Sequence, residues 1–92
     1  MTSRQQALQV ARQSLQITRT DDIFKVIRTL CLALRSTRTE SGTVKAVHAV
    51  LLQMNRPEMS EKEAYTSTGA SMSNFKKWRR RIQHAEHDLP PP

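Results

Sequence analysis

The chain has 92 residues, of which 37% are hydrophobic and 4% aromatic, so it can form one domain whose core rests on aliphatic side chains. Fifteen Lys and Arg residues against eight Asp and Glu give a net charge of +7, which favours a polyanionic partner such as nucleic acid or an anionic membrane surface. No apolar run approaches the roughly 18 residues that span a bilayer, and the amino-terminal residues lack the apolar segment of a secretory signal, so we expect a cytoplasmic protein without a membrane partner.

Helical periodicity recurs along the chain, and glycine occurs only at positions 42 and 69, so the turns that a sheet requires are scarce. The sequence therefore predicts an all-α fold of four to five helices, the last two forming a helix-turn-helix. The first helix spans residues 4–17, and its apolar face carries Ala7, Leu8, Ala11 and Leu15. The polar residues that turn away from this face are Arg4, Gln5, Arg12 and Gln16.

A second helix begins at Thr20, Asp21 and Asp22, because these side chains can cap a helix and complement its positive amino-terminal end. This helix is the best candidate for a core element, and its core residues are Ile23, Ile27, Leu30 and Leu34, with Phe24 and Cys31 beside them. Cys31 is the single cysteine, so it has no disulfide partner in the chain, and we interpret it as a small buried hydrophobic side chain.

A third helix is predicted to begin at Thr43, which can serve as its cap after the polar stretch of residues 36–42. It ends at the break between Asn55 and Pro57, and its apolar residues are Val44, Val47, Leu51 and Met54. We expect the helices of residues 4–35 to supply the surface of a homodimer, with residues 44–54 as the alternative.

The next segment has the signals of a short helix followed by a sharp turn. Ser60 and Glu63 fit a capping box, in which each side chain accepts a hydrogen bond from a free backbone amide at the helix start. The helix should run from Glu61 to about Thr68, because Gly69 can adopt a left-handed backbone conformation at little cost.

Ser71 can cap a last helix that extends over residues 71–88. Phe75, Trp78 and Ile82 recur at helical spacing and predict an apolar edge that faces the body of the protein. The opposite edge combines polar side chains that can read base edges with cations that can bind phosphates. The residues expected on it are Met72, Ser73, Asn74, Lys76, Lys77 and Arg80.

The string EAYTSTGASMSNFKKWRRR resembles the helix-turn-helix of insertion-sequence transposase N-terminal domains and of small phage and plasmid transcriptional regulators. The residues at matching places are Glu63, Ala64, Gly69, Ser71, Ser73, Phe75, Trp78 and Arg79. The resemblance implies that Ser71, Met72, Ser73, Lys76 and Lys77 face the DNA groove, and that Ala64, Phe75 and Trp78 pack the two helices together. The chain departs from the pattern at Tyr65, Thr68 and Ala70, so the crossing of the two helices is where we expect a difference.

The predicted organisation is one helical DNA-binding domain over residues 1–88. Residues 4–58 form the core and the dimerisation surface, residues 60–83 form the helix-turn-helix, and the proline-rich residues 89–92 form a flexible tail. The DNA-binding residues are predicted to be Ser71, Met72, Ser73, Asn74, Lys76, Lys77, Arg79 and Arg80.

We expect this protein to be a transcriptional regulator, a repressor that binds a palindromic double-stranded DNA operator as a homodimer. An alternative is an accessory DNA-binding protein of a phage or plasmid, such as an excisionase-like factor, a small terminase subunit or a relaxosome component. A helical adaptor whose basic face meets an acidic protein is a third interpretation. The carboxylates have no consistent His, Ser or Cys partner, and the three histidines form no ligand pair, so we expect no enzyme, no metal and no cofactor.

Overall fold

The computed structural model describes residues 3–17, 20–34 and 41–87. These ranges contain five helices and no strand, which confirms the predicted all-α fold. The helices are α1 (Ser3–Ile17), α2 (Thr20–Ala33), α3 (Ser41–Asn55), α4 (Glu61–Thr68) and α5 (Met72–Glu86). The tail predicted for residues 89–92 lies outside the described residues.

Helices α1 and α2 lie against each other, and each buries the face that its periodicity predicts. Leu8 and Ala11 of α1 are buried, while Ala7 and Leu15 pack at the edge of the core. On α2 the buried residues are Ile27, Leu30, Cys31 and Leu34. The amphipathic pattern of both helices therefore identified most of their core residues.

Phe24 is an exception, because it is 46% exposed and does not belong to the core. It lies near the amino-terminal end of α2, about two turns before Cys31 on the same side of the helix. The carboxyl-terminal end of α2 receives a side chain from α5, since Arg81 Nη2 donates to the Leu34 carbonyl at 3.3 Å. Phe24 lies too far from this end of α2 for the Arg81 side chain to cover it.

Helix α3 occupies the centre of the fold and contacts all four other helices. Its buried side chains occupy more than half of the helix circumference, which is possible only because neighbouring helices cover it on several sides. These residues are Ala46, Val47, Ala49, Val50 and Leu51, each at most 1% exposed. Many of the residues in the alternative dimer surface, residues 44–54, are therefore buried within the fold by the neighbouring helices.

The start of α3 differs from the prediction. The helix begins at Ser41, so Thr43 lies within its first turn and is not the cap. Gly42 is helical, since the penalty for one glycine in a helix, about 1 kcal/mol, is small enough for tertiary packing to override. Gly42 lies beside α5, where a Cβ on it would be 3.4 Å from Asn74 Nδ2.

Arg12 connects α1 to the carboxyl-terminal end of α3. Its Nε donates to Asn55 Oδ1 at 3.2 Å, and its Nη2 donates to the Met54 carbonyl at 3.2 Å. Asn55 Nδ2 returns a hydrogen bond to the Arg12 carbonyl at 3.1 Å. The prediction that Arg12 turns away from the body is wrong, because the free carbonyl groups at the end of α3 attract its donors.

Candidate nucleic-acid interface

Helix α4 has the boundaries that its capping residues predict. The Glu63 amide donates to Ser60 Oγ at 3.1 Å, which satisfies one of the free donors at the helix start. The helix ends at Gly69, whose φ of 78° lies in the left-handed region. The Gly69 amide donates to the Thr66 carbonyl and the Ala70 amide to the Tyr65 carbonyl, so the turn also satisfies the last carbonyl groups of the helix.

Two contacts show how the fold accommodates Tyr65 and Thr68. The Tyr65 ring packs against Phe75 of α5, with ring centroids 5.7 Å apart and planes tilted by 52°. Thr68 Oγ1 donates to the Lys45 carbonyl of α3 at 3.0 Å, and Ala64 is fully buried. Tyr65 therefore fills space between α4 and α5 through an aromatic contact, and Thr68 fixes the end of α4 to α3.

Helix α5 begins after Ser71, whose Oγ accepts a hydrogen bond from the Asn74 amide at 3.2 Å. Phe75 and Ile82 are fully buried, and Trp78 is 4% exposed. The predicted apolar edge is confirmed, and Ala85 extends it by one further turn. This edge fixes the orientation of α5, so the side chains opposite to it must face outward.

The outward side of α5 carries exposed polar and cationic side chains. Ser73, Lys76, Lys77 and Arg80 fall within about 100° of the helix circumference and form a continuous stripe, which we call the α5 stripe. Met72 is 53% exposed beside it. A helix with this arrangement presents small polar groups near its amino terminus and positive charges further along.

Ser71 and Asn74, which the sequence also assigns to DNA, lie at the edges of this surface. Both are exposed, but the Ser71 hydroxyl already serves as the cap of α5. Asn74 lies on the side of the helix that faces Gly42 of α3. The structure therefore groups Met72, Ser73, Lys76, Lys77 and Arg80 together and places these two beside them.

Arg79 occupies the side of α5 that faces α4. Its Nη1 forms an ion pair with Glu61 Oε1, and its guanidinium carbon lies 6.0 Å from the centroid of the Phe75 ring. Its side chain is 34% exposed, against 42% for that of Glu61. Although the sequence groups Arg79 with the DNA-binding residues, its contacts here join the two helices.

Arg81 lies on the other side of α5 and contacts α2. Besides its bond to the Leu34 carbonyl, its guanidinium carbon lies 4.5 Å from the centroid of the Trp78 ring, which places a cation over the aromatic face. The five cations of residues 76–81 are therefore divided by the helix geometry. Lys76, Lys77 and Arg80 face outward, while Arg79 and Arg81 contact neighbouring helices.

Sequence reasoning did not single out Lys45, which the fold brings to the turn before α5. Lys45 is exposed, and its side chain lies along Gly69, where a Cβ would be 3.7 Å from Lys45 Cδ and 3.9 Å from Nζ. Gly69 is 24 positions from Lys45 in the chain, and no local pattern connects the two residues. Only the packing of α4 on α3 could have revealed this cation.

Residues 3–17, 20–34 and 41–87 contain no group of three or more His, Cys, Asp or Glu side chains that could hold a metal ion.

Cys31 is fully buried, and this burial raises the pKa of its thiol to about 11, against a weaker opposing effect of Arg81. Within the same ranges, none of the helices has the length and apolar character needed to cross a membrane.

No protein-family model, curated protein or solved structure matches the chain. The function must therefore be argued from the geometry and chemistry of the residues themselves.

Proposed function

We propose that this protein is a sequence-specific transcriptional regulator, a repressor that binds a palindromic double-stranded DNA operator as a homodimer. In this proposal α4, the turn at Gly69 and α5 form a helix-turn-helix, and α5 is the recognition helix. The main observation behind the proposal is the α5 stripe. It lies on the side of α5 opposite the apolar edge, whose residues are at most 4% exposed.

The chemistry of α5 suits the major groove of DNA. The groove admits one α-helix, and the residues near the amino terminus of that helix approach the base edges. Ser73 can donate or accept a hydrogen bond there, and Met72 offers an apolar contact for a thymine methyl group. Lys76, Lys77 and Arg80 follow within two turns and can neutralise phosphates on either side of the groove.

The contacts of α5 with the rest of the fold are suited to holding a recognition helix in one orientation. Phe75 and Trp78 are buried in the core, and Arg79 and Arg81 join α5 to α4 and α2 from its two sides. A recognition helix must be held rigidly, because a small displacement separates its side chains from the base edges. The cations that do not face outward thus contribute to binding through position.

The homodimer of this proposal would form through the outer groove between α1 and α2, which we call the α1–α2 groove. Ala7, Val10, Val26 and Leu30 contribute its apolar lining, and Val10 is 55% exposed. Among its described lining residues Lys25 alone is charged, so two copies of a basic chain could approach here with little repulsion. A dimer would place two α5 helices on half-sites about one helical turn apart.

The test is selection of bound duplexes from a random pool by gel shift, with the mass of the complex measured in the same buffer. We expect a palindromic sequence and two protein chains for each duplex. Equal binding of selected and random duplexes would overturn the proposal. Rings or filaments on repeated sites would instead indicate an accessory protein of a mobile element, and failure to retard any duplex at low salt would indicate a protein-binding adaptor.

Single substitutions can distinguish the residues proposed to contact base edges from those proposed to bind phosphates. Lys76→Ala and Lys77→Ala should weaken binding to selected and random duplexes alike, and each should lower the salt slope of log K by about 1.8, because it removes one phosphate contact from both chains of the dimer. Ser73→Ala and Met72→Ala should instead change which bases are selected. Arg28→Ala is the charge-matched control, because Arg28 is exposed on α2, a helix whose backbone packs against α1 and α3.

A further inference from the structure

We propose that Lys45 of α3 binds a DNA phosphate at the end of α5 opposite to Arg80. This inference rests on the proposed function and extends the interface to a second helix. The backbone of Lys45 belongs to the central helix α3, whereas its side chain lies at the turn before α5.

The position of Lys45 is fixed by α4. Its carbonyl accepts the hydrogen bond from Thr68 Oγ1 at 3.0 Å, so the end of α4 is held at this point of α3. Its side-chain atoms Cδ, Cε and Nζ lie 3.7, 4.0 and 3.9 Å from the position that a Cβ on Gly69 would occupy. The aliphatic stem and the ammonium group of Lys45 therefore both lie beside Gly69, in the turn between α4 and α5.

Gly69 makes this turn possible through its backbone. Its φ of 78° is accessible to glycine at little cost, and the Lys45 stem lies at van der Waals distance from the position of its missing Cβ. Ser71, the cap of α5, follows two residues later. The ammonium group of Lys45 therefore lies beside a residue two positions before the cap of α5.

The length of α5 between Ser71 and Arg80 is close to the width of the major groove. Helix α5 rises 1.5 Å per residue, so about 13 Å separates Ser71 from Arg80 along its axis. The major groove is about 12 Å wide. Lys45 at one end and Arg80 at the other can therefore reach phosphates of different strands, with Met72 and Ser73 between them. Contacts at both ends would fix the register of α5, which contacts at one end alone could not do.

The decisive variants are Lys45→Met and Lys45→Arg. Methionine keeps an aliphatic stem against Gly69 while it removes the charge, and arginine keeps the charge. On the selected duplex we expect Lys45→Met to reduce affinity about sixtyfold at 0.1 M salt and to lower the salt slope of log K by about 1.8, the amount for one phosphate in each of the two half-sites. Lys45→Arg should bind like the wild-type chain, and so should Arg28→Ala.

Phosphate ethylation interference locates the contact. We expect Lys45→Met to lose sensitivity at one phosphate in each half-site while the phosphates contacted by Lys76 and Lys77 stay sensitive. Thermal unfolding of the free protein should be unchanged, because the ammonium group is exposed and the stem is retained.

The outcomes separate this inference from the proposed function. An unchanged salt slope and interference pattern in Lys45→Met, together with a reduced slope in Lys76→Ala, would overturn the role of Lys45 and leave the recognition helix intact. A wild-type chain that binds no duplex would overturn both. Weaker binding with an unchanged slope would also count against a phosphate contact, since release of a counterion must change the slope.

Discussion

Arg79 and Arg80 are neighbours in the chain, yet the structure gives them different surroundings. Arg79 pairs with Glu61 and lies near the Phe75 ring, whereas Arg80 is exposed on the α5 stripe. Successive residues of a helix are rotated by about 100°, so one step along α5 is enough to exchange a helix–helix contact for solvent. At the residue scale, the same side-chain type serves structure at one position and is available to a ligand at the next.

The two arginines should therefore respond differently to truncation. Arg79→Ala should lower the free energy of unfolding by about 0.5–1 kcal/mol, because the ion pair is partly exposed and the aromatic contact is long. Arg80→Ala should leave stability unchanged and weaken DNA binding with a smaller salt slope. Urea unfolding and salt-dependent gel shifts measure the two effects. Equal loss of stability in both variants would contradict this division.

His48 gives stability a dependence on pH. It is half-buried in a cleft between α1 and α3 beside Leu52, Asn55 and Arg56, and its burial lowers the pKa of the imidazole from 6.5. As the pH falls below 6.5, His48 becomes protonated in the unfolded chain while it stays neutral in the folded chain. The free energy of unfolding should therefore fall, until the pH drops below the pKa of His48 in the folded chain. Above pH 6.5 this residue should have no effect.

Urea unfolding at pH 7.5 and pH 5.5 tests the role of His48. We expect His48→Gln to lose less stability between the two pH values than the wild-type chain, because glutamine cannot titrate. An identical loss in both proteins would show that other groups cause the pH dependence.

At the scale of elements, the turn between α4 and α5 depends on one backbone conformation. Gly69 combines its φ of 78° with hydrogen bonds that close the end of α4. Gly42, the only other glycine of the chain, lies in the first turn of α3 and has no positive φ. The two glycines therefore have different physical roles.

Alanine at the two glycines should give opposite results. Gly69→Ala should cost about 1–2 kcal/mol of stability, since an L side chain is strained in the left-handed region. Gly42→Ala should keep or raise stability by up to about 1 kcal/mol, because a helical alanine is favoured and the new Cβ would only touch Asn74 Nδ2, at 3.4 Å. Thermal unfolding measures both. Destabilisation by Gly42→Ala as large as that by Gly69→Ala would contradict this interpretation.

At the scale of the whole molecule, α3 organises the fold and two outer surfaces differ in their chemistry. It contacts α1 and α2 as well as α4 and α5, so the α1–α2 groove and the α5 stripe belong to one structure built on a common helix. One surface is apolar with little charge, and the other is strongly cationic. This separation suits a protein that pairs through one surface and binds a polyanion through the other.

A charge in the α1–α2 groove tests the pairing surface. Val10→Lys should give a monomer, because pairing would bury a second ammonium group in a groove whose one charged described lining residue is already Lys25, while the fold should persist since Val10 is 55% exposed. Affinity for a palindromic duplex should fall toward that for a single half-site. Sedimentation measures the mass. Gln16→Lys, an exposed position of α1 that does not line the groove, is the charge-matched control and should remain a dimer.

The sequence determined the features that depend on residues close together in the chain. The Ser60 and Ser71 caps join residues three positions apart, the Gly69 turn closes over four positions, and the Phe75, Trp78 and Ile82 edge follows from helical periodicity. The number of helices and the bounds of α4 could be predicted for the same reason. Local hydrogen bonding and the period of the helix leave few alternatives at such positions.

Only the tertiary structure decided which side chains of the basic segment are available to a partner. Arg79 meets Glu61 across 18 positions, Arg81 meets the Leu34 carbonyl across 47, and Lys45 reaches the turn because Thr68 bonds to its carbonyl across 23. The exposure of Phe24 and the capping role of Arg12 likewise follow from how the helices are placed. Such contacts depend on which helices become neighbours, and the periodicity of a single helix carries no record of what packs beside it.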